Sequence, residues 1–156
     1  MSVVVKKVES LVRMEEKHAS SLSGSVDKLR NVVVQEILRG IAHDSRKHAG
    51  FYTAVLSLLK GEGPAITEEN YDRLEEVMRE HIEVENRMME EAKRLLDAEQ
   101  DLRIKHLVTE IYDDEVKHHA LMRRLLDAAI KREAIFEEDM WDMIWRDVPG
   151  HGAPLG

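Results

Sequence analysis

The chain has 156 residues, 35% of them charged, and a formal net charge of −8 at pH 7. This length suits a single domain with a substantial core. The negative charge excludes a nucleic-acid partner, because phosphate binding requires a basic surface. No basic leader precedes an apolar run, and the most apolar stretch, residues 51–59, is too short to span a bilayer. We therefore expect a cytoplasmic protein without a membrane partner.

Cysteine is absent from the sequence. Disulfides, iron–sulfur clusters and thiolate metal sites are thereby excluded, so any metal must be held by carboxylate and imidazole groups. The many charged residues and the few Asn and Gln residues are a bias typical of thermophile proteins, and they suggest a thermophilic origin.

Apolar residues recur at helical spacing almost throughout, which predicts an all-α protein. Four long helices are predicted over residues 3–29, 32–59, from between 67 and 72 to 98, and 102–131. The clearest break covers residues 61–64, and Thr67 is expected to cap the third helix. A shorter amphipathic helix is predicted over residues 133–146. We expect residues 1–131 to form a helical bundle and residues 132–156 to form the C-terminal helix and tail.

Each long helix carries an inward stripe of apolar residues, interrupted near its middle by an acid and a histidine. These polar residues are, in chain order, Glu15, His18, Asp44, His48, His81, Glu85, Asp114 and His118, with Glu115 beside the last stripe. Unpaired buried carboxylates cost on the order of several kcal/mol each, so acids at matching depth in four stripes indicate metal ions among them. The other interpretation is a buried hydrogen-bonded network. The remaining histidines, His43, His106, His119 and His151, are expected to be solvated.

The chain also aligns with itself, without a gap, at an offset of 70 residues. The chemically informative matches are Glu15 with Glu85, Asp44 with Asp114 and His48 with His118. A fold needs matching apolar residues far more than matching acids and histidines. The repeat therefore indicates a metal site built from two related halves.

Residues 114–118, Asp-Glu-Val-Lys-His, resemble the Asp-Glu-x-x-His motif of the ferritin-like superfamily, in particular the rubrerythrin-like and bacterioferritin-like di-iron carboxylate proteins. The resemblance covers about residues 3–130 and implies a ferritin-like four-helix bundle with an additional short C-terminal helix. The metal ligands that it implies are Glu15, His48, Glu85, Glu115 and His118. Asp44 and Asp114 would accept hydrogen bonds from the ligand histidines and orient them. The alternative is a pair of buried acids bonded to Lys or Arg.

Ser45 departs from this family pattern, because it stands where the second helix should supply a glutamate. His18 and His81 are the obvious substitutes, since each lies one helical turn from a glutamate ligand. Each could instead be a hydrogen-bonding partner in the core. Imidazole in place of carboxylate would favour divalent ions and widen the tolerance for Zn, Co, Ni or Cu, or leave a single metal position occupied.

Topology and assembly stay open at this stage. Ferritin-like bundles join helices two and three by a long crossover, and residues 61–67 reach only about 23 Å. Helix three could begin nearer Asp72, the bundle could be up-down-up-down, or helix pairs could be exchanged between two chains.

The final helix carries both tryptophans, Trp141 and Trp145. We expect this extra apolar surface to support a homo-oligomer, a dimer or larger; the alternative is a lid on the same chain.

Three functions fit these features. The first, implied by the resemblance, is oxidoreductase chemistry on dioxygen or hydrogen peroxide at a di-metal centre. Iron is the expected metal, with manganese or zinc as alternatives, and the electron donor would be a separate protein. The second is iron storage by a ferroxidase shell. The third is a structural helical bundle with a degenerate metal site, which Ser45 encourages.

Overall fold

The computed structural model describes residues 2–62, 67–132, 138–146 and 148–150. Four long helices and a short fifth follow in chain order: α1 Val3–Val26, α2 Val32–Leu59, α3 Glu68–Ala98, α4 Leu102–Ile130 and α5 Glu138–Trp145. The prediction of an all-α chain is confirmed, and the helix order is consistent with a four-helix bundle. The first five residues of the predicted C-terminal helix and the tail from His151 lie outside the described residues.

The long helices begin at side-chain caps, as the sequence leads one to expect. Thr67 accepts a hydrogen bond from the backbone N–H of Asn70 at 3.3 Å, which confirms it as the cap of α3. Glu68 and Glu69 follow in the first turn, where their negative charge complements the helix dipole. Because α3 is already helical at Glu68, the alternative in which this helix begins nearer Asp72 is wrong.

The chain divides into two compact units, residues 1–64 and 65–156. In the first unit α1 and α2 pack against each other as an antiparallel hairpin. The buried residues of α2 are all small, Ala42, Ser45 and Ala49, whereas those of α1 are Ala19 and three valines, Val5, Val8 and Val26. Small side chains allow two helix axes to approach closely.

The residues that α2 buries in this seam lie on a different face of the helix from the inward stripe that the sequence predicts. The predicted stripe includes Ile41 and Phe51, but Ile41 is 42% exposed and Phe51 54% exposed. The residues of α2 that are buried, Ala42, Ser45 and Ala49, lie one position later than Ile41, Asp44 and His48. Within the first unit only α1 packs against α2, and a single helix covers only a narrow seam of its partner.

In the second unit α4 packs against both α3 and α5. Its core consists of Tyr71 from α3, Ala128 and Ala129 from α4, and Ile144 from α5. Through Ile144 the C-terminal helix contacts its own chain, as the lid interpretation requires. No helix among the described residues is both long enough and apolar enough to cross a membrane.

Candidate metal centre

The second unit brings together two carboxylates and one imidazole at the middle of the α3–α4 seam. Glu85 projects from α3, and Glu115 and His118 project from successive turns of α4. One potential ligand atom from each of the three lies within 4.8 Å of the others. The Nδ1 atom of His118 is 4.0 Å from Oε1 of Glu85 and 3.9 Å from Oε2 of Glu115. Atoms bound to one ion at about 2.1 Å lie roughly 3 Å apart, so a small contraction would complete a metal site.

The two carboxylates of this group are nearly buried and lack hydrogen-bond partners for part of their oxygens. Their side chains are only 12% exposed for Glu85 and 16% for Glu115. One oxygen of each, Oε2, is buried without a hydrogen-bond partner in the described part of the chain. Burial, with a hydrogen bond to Glu115 and its negative charge, raises the pKa of Glu85 to about 7. Protonation of Glu85 is therefore favoured, and a cation between the two carboxylates would satisfy their buried oxygens.

The first unit places the repeat-related residues Glu15 and His48 opposite each other across the α1–α2 seam. The Oε1 atom of Glu15 lies 3.5 Å from Nδ1 of His48, and the two side chains are 25% and 49% exposed. Both line an open cleft of about 480 Å³ whose other walls are Phe51, Tyr52 and Val55. The cleft gives small molecules access to this acid and this histidine.

His18 and Ser45 make the next contact along the same seam. The Nδ1 atom of His18 lies 2.9 Å from Oγ of Ser45, at hydrogen-bond distance. Ser45 is only 4% exposed, whereas His18 is largely exposed. The residue that departs from the family pattern therefore contacts the histidine predicted to substitute for the missing glutamate.

Asp44 and Asp114 have partners other than the ligand histidines that they were predicted to orient. Asp44 forms an ion pair with Lys47 at 2.6 Å, and Asp114 forms one with Lys117 at 3.4 Å. About half of each aspartate side chain is exposed. Both ion pairs join residues three apart on α2 or α4. The bond to lysine agrees with the alternative interpretation, but the acids are half exposed and not buried as that interpretation had them.

Two further histidines differ from expectation in opposite ways. His81, predicted as a ligand, is exposed on α3 and is not part of the group formed by Glu85, Glu115 and His118. His119, predicted to be solvated, has its Nδ1 atom buried without a hydrogen-bond partner among the described residues. The signal in the sequence was its spacing: His119 follows Glu115 by four residues and so shares its helix face.

The residues present fit a bound metal. Carboxylate oxygens and imidazole nitrogens suit iron, manganese and zinc. The orphaned oxygens of Glu85 and Glu115 are buried polar atoms for which a cation is the natural partner.

Comparison with known proteins agrees with this chemistry. A family model described as Rubrerythrin matches residues 25–126, which is more than half of the chain. The match includes α2, α3 and most of α4, with every candidate ligand except Glu15 and His18. Comparison with curated proteins and with solved structures gave no significant match.

Proposed function

The chain belongs to the rubrerythrin family of ferritin-like proteins, and from that premise we propose that it is a metalloprotein that reduces hydrogen peroxide or dioxygen at a pair of metal ions. Each helical hairpin carries its own group of proposed ligands. Glu15 and His48 belong to the first hairpin, and Glu85, Glu115 and His118 belong to the second. Iron is the metal we propose, with manganese or zinc as alternatives.

The group of Glu85, Glu115 and His118 is the observation that carries this proposal. It combines ligand atoms within 4.8 Å of one another, two nearly buried carboxylates and an orphaned oxygen on each. Two adjacent buried acids destabilise a purely structural bundle. Each carboxylate loses its hydration, and the two negative charges repel each other.

Bound iron would supply the redox change, with two electrons and two protons converting each hydrogen peroxide molecule into two water molecules. Glu85 and Glu115 would hold the cation through their nearly buried carboxylates, and His118 would contribute a nitrogen. The 156 residues contain no cysteine that could hold an iron–sulfur or thiolate-bound iron centre. We therefore propose that the electrons come from a separate donor protein.

The cleft beside Glu15 and His48 supports a small oxidant as the substrate. Its remaining walls are Phe51, Tyr52 and Val55, so an acid and a histidine face an otherwise largely apolar space. Dioxygen and hydrogen peroxide are small and uncharged, and such a space admits them without the desolvation cost that an anion would incur.

Assembly into a homo-oligomer is part of the same proposal. Apolar side chains on α2, including Ile37, Ile41 and Phe51, are 42–54% exposed. Large exposed apolar surfaces are a feature of subunit interfaces. Sedimentation analysis distinguishes a dimer or small oligomer from a many-subunit particle, which would favour iron storage instead.

Elemental analysis is the direct test. The protein is purified without chelator or nickel affinity, metal per chain is measured, and peroxide consumption is followed with a reduced electron donor. We expect about two metal equivalents per chain and peroxide reduction that depends on them. Glu115→Ala should lose metal and activity while remaining helical by circular dichroism. Glu110→Ala, an exposed acid on the same helix, is the matched control.

The possible results separate the interpretations. Metal binding without peroxide or oxygen consumption would reject the oxidoreductase and leave a metal-binding bundle. A wild-type protein that takes up no metal, even on reconstitution, would reject the metalloprotein altogether.

A further inference from the structure

One buried imidazole nitrogen lies on the helix that carries Glu115 and has no hydrogen-bond partner. Among the described residues, the buried side-chain atoms without such a partner are Oε2 of Glu85, Oε2 of Glu115 and Nδ1 of His119. The two carboxylate oxygens are acceptors, and a ring nitrogen of histidine can donate. Buried polar atoms in proteins are almost always paired, so an unpaired imidazole one helical turn from an unpaired carboxylate oxygen requires an explanation.

The internal repeat indicates that His119 belongs to the helix seam and not to the outer surface. At the offset of 70 residues, Glu115 corresponds to Ser45 and His119 corresponds to Ala49. Ser45 and Ala49 are buried residues of α2, with exposures of 4% and 6%. A position that the first hairpin fills with a methyl group therefore carries an imidazole in the second hairpin, next to the acids.

Helix geometry brings this imidazole within reach of Glu115. Residues four apart on a helix share one face, and their Cβ atoms are about 5–6 Å apart. Side chains on a helix lean toward its N-terminus, so the ring of His119 leans toward the turn that carries Glu115. His119 is not part of the group of ligand atoms formed by Glu85, Glu115 and His118, so we assign it no direct bond to a metal.

We propose that His119 is a positioning residue of the metal centre, whose Nδ1–H donates a hydrogen bond to the carboxylate of Glu115 when that carboxylate binds a cation. Carboxylates that bind a metal are themselves hydrogen-bonded, and these partners fix the orientation of the ligand. The carboxyl group of Glu115 is hydrogen-bonded to that of Glu85. A cation held between the two carboxylates replaces this bond and leaves an oxygen of Glu115 for His119.

This inference rests on the proposed metalloprotein function and is tested by metal affinity rather than by activity. The metal-free full-length chain is titrated with Zn²⁺ in a calorimeter at constant pH. His119→Phe keeps a ring in the seam but removes the donor, and it should weaken Zn²⁺ binding by about 10–100-fold, as loss of such a partner usually does. His106→Phe makes the same exchange at an exposed position of α4 and should bind as the wild type does.

Two amide variants test which ring nitrogen matters. His119→Asn places an amide N–H near the position of Nδ1 and should recover most of the lost affinity. His119→Gln places its amide near the position of Nε2 and should bind as weakly as His119→Phe. This pair also decides the question if phenylalanine does not fit the seam and His119→Phe fails to fold.

The visible spectrum of bound Co²⁺ separates positioning from packing, because it reports the geometry of the ligands around the metal. It should change in His119→Phe and return toward the wild-type spectrum in His119→Asn. A residue that only fills space would alter the free energy of unfolding and leave this spectrum unchanged.

The outcomes distinguish the inference from the proposed function. If the wild type binds Zn²⁺ and the three His119 variants bind it equally well, His119 only packs the seam, the inference is rejected and the proposed function stands. Equal losses in His119→Asn and His119→Gln would reject a hydrogen bond from Nδ1. If the wild type binds no metal, the proposed function fails and the inference fails with it.

Discussion

Glu85 and Glu115 lie together at the middle of the α3–α4 seam, where burial, followed by the carboxyl group of Glu115, raises the pKa of Glu85 to about 7. Each also has one oxygen that is buried without a partner in the described residues. In a protein without metal, protonation of Glu85 relieves the repulsion. A divalent cation relieves it without a proton, so the same geometry that favours protonation also favours metal binding.

The protonation of Glu85 can be observed directly. In metal-free protein the ¹³C resonance of its carboxyl group should titrate with a midpoint near 7. Glu115→Gln should lower this midpoint only partway to the ordinary value, because burial is the larger cause of the raised pKa and remains in the variant. Glu110→Gln, on the exposed face of α4, should leave the midpoint unchanged. A midpoint near 4.5 in the wild-type protein would contradict the close burial of this pair.

The stability of the metal-free protein should depend on pH through the same group. The pKa of Glu85 is about 7 in the folded protein and 4.5 ordinarily. Between these pH values the folded state binds the proton and the unfolded state does not, so the stabilisation is full below about pH 4.5 and is lost as pH rises through 7. The loss is on the order of 3 kcal/mol.

Glu85→Gln removes this loss because the amide does not ionise. In the presence of chelator, urea unfolding should show the variant to be more stable than the wild type at pH 8 and similar to it near pH 4.5. Glu83→Gln, an exposed neighbour on α3, should follow the wild type at both pH values. Parallel pH curves for the wild type and Glu85→Gln would show that Glu85 titrates normally.

The parts of this structure that the sequence predicts are those set by local spacing. Helix starts follow from caps such as Thr67, and the approach of Glu115 to His118 follows from a separation of three residues on one helix. The pairing of Glu85 with them is implied by the resemblance to the ferritin-like family. The family match over residues 25–126 confirms the resemblance read from the Asp-Glu-x-x-His motif.

The phase of the seam could not be predicted in the same way. Large aliphatic residues such as Ile41 define the apolar stripe of α2, yet the seam is formed by Ala42, Ser45 and Ala49. A hydrophobic pattern identifies large apolar side chains as the buried ones. Two closely packed helices instead bury the positions with small side chains, because these allow the helix axes to approach. The same shift carries Asp44 to the exposed flank and into its ion pair with Lys47.

The small-residue seam of the first hairpin has a steric consequence. Ala42 is 1% exposed, so Ala42→Leu forces three additional carbon atoms between α1 and α2. Overpacking of this kind typically costs about 1–3 kcal/mol, and we expect a loss of that size in the free energy of unfolding. Ala54→Leu makes the same substitution at an exposed position of α2 and should change stability by less than about 0.5 kcal/mol. Equal effects from the two variants would show that Ala42 does not lie in a tight seam.

The ion pairs of Asp44 and Asp114 lead to a prediction that opposes the one drawn from the sequence. If these aspartates oriented the ligand histidines, Asp44→Asn and Asp114→Asn should each weaken metal binding by about 10–100-fold. Because both side chains are about half exposed and bonded to Lys47 and Lys117, we expect less than about a twofold change in the metal dissociation constant.

Isothermal titration with Zn²⁺ at constant pH measures these constants. Glu115→Gln provides the comparison, because it alters a proposed ligand on α4 by the same acid-to-amide exchange and should weaken binding far more. A tenfold loss in Asp114→Asn would mean that Asp114 turns from Lys117 to His118 when metal binds. If the aspartates have only a surface role, both Asp→Asn variants should bind Zn²⁺ with the dissociation constant of the wild type, and Glu115→Gln should bind it more weakly.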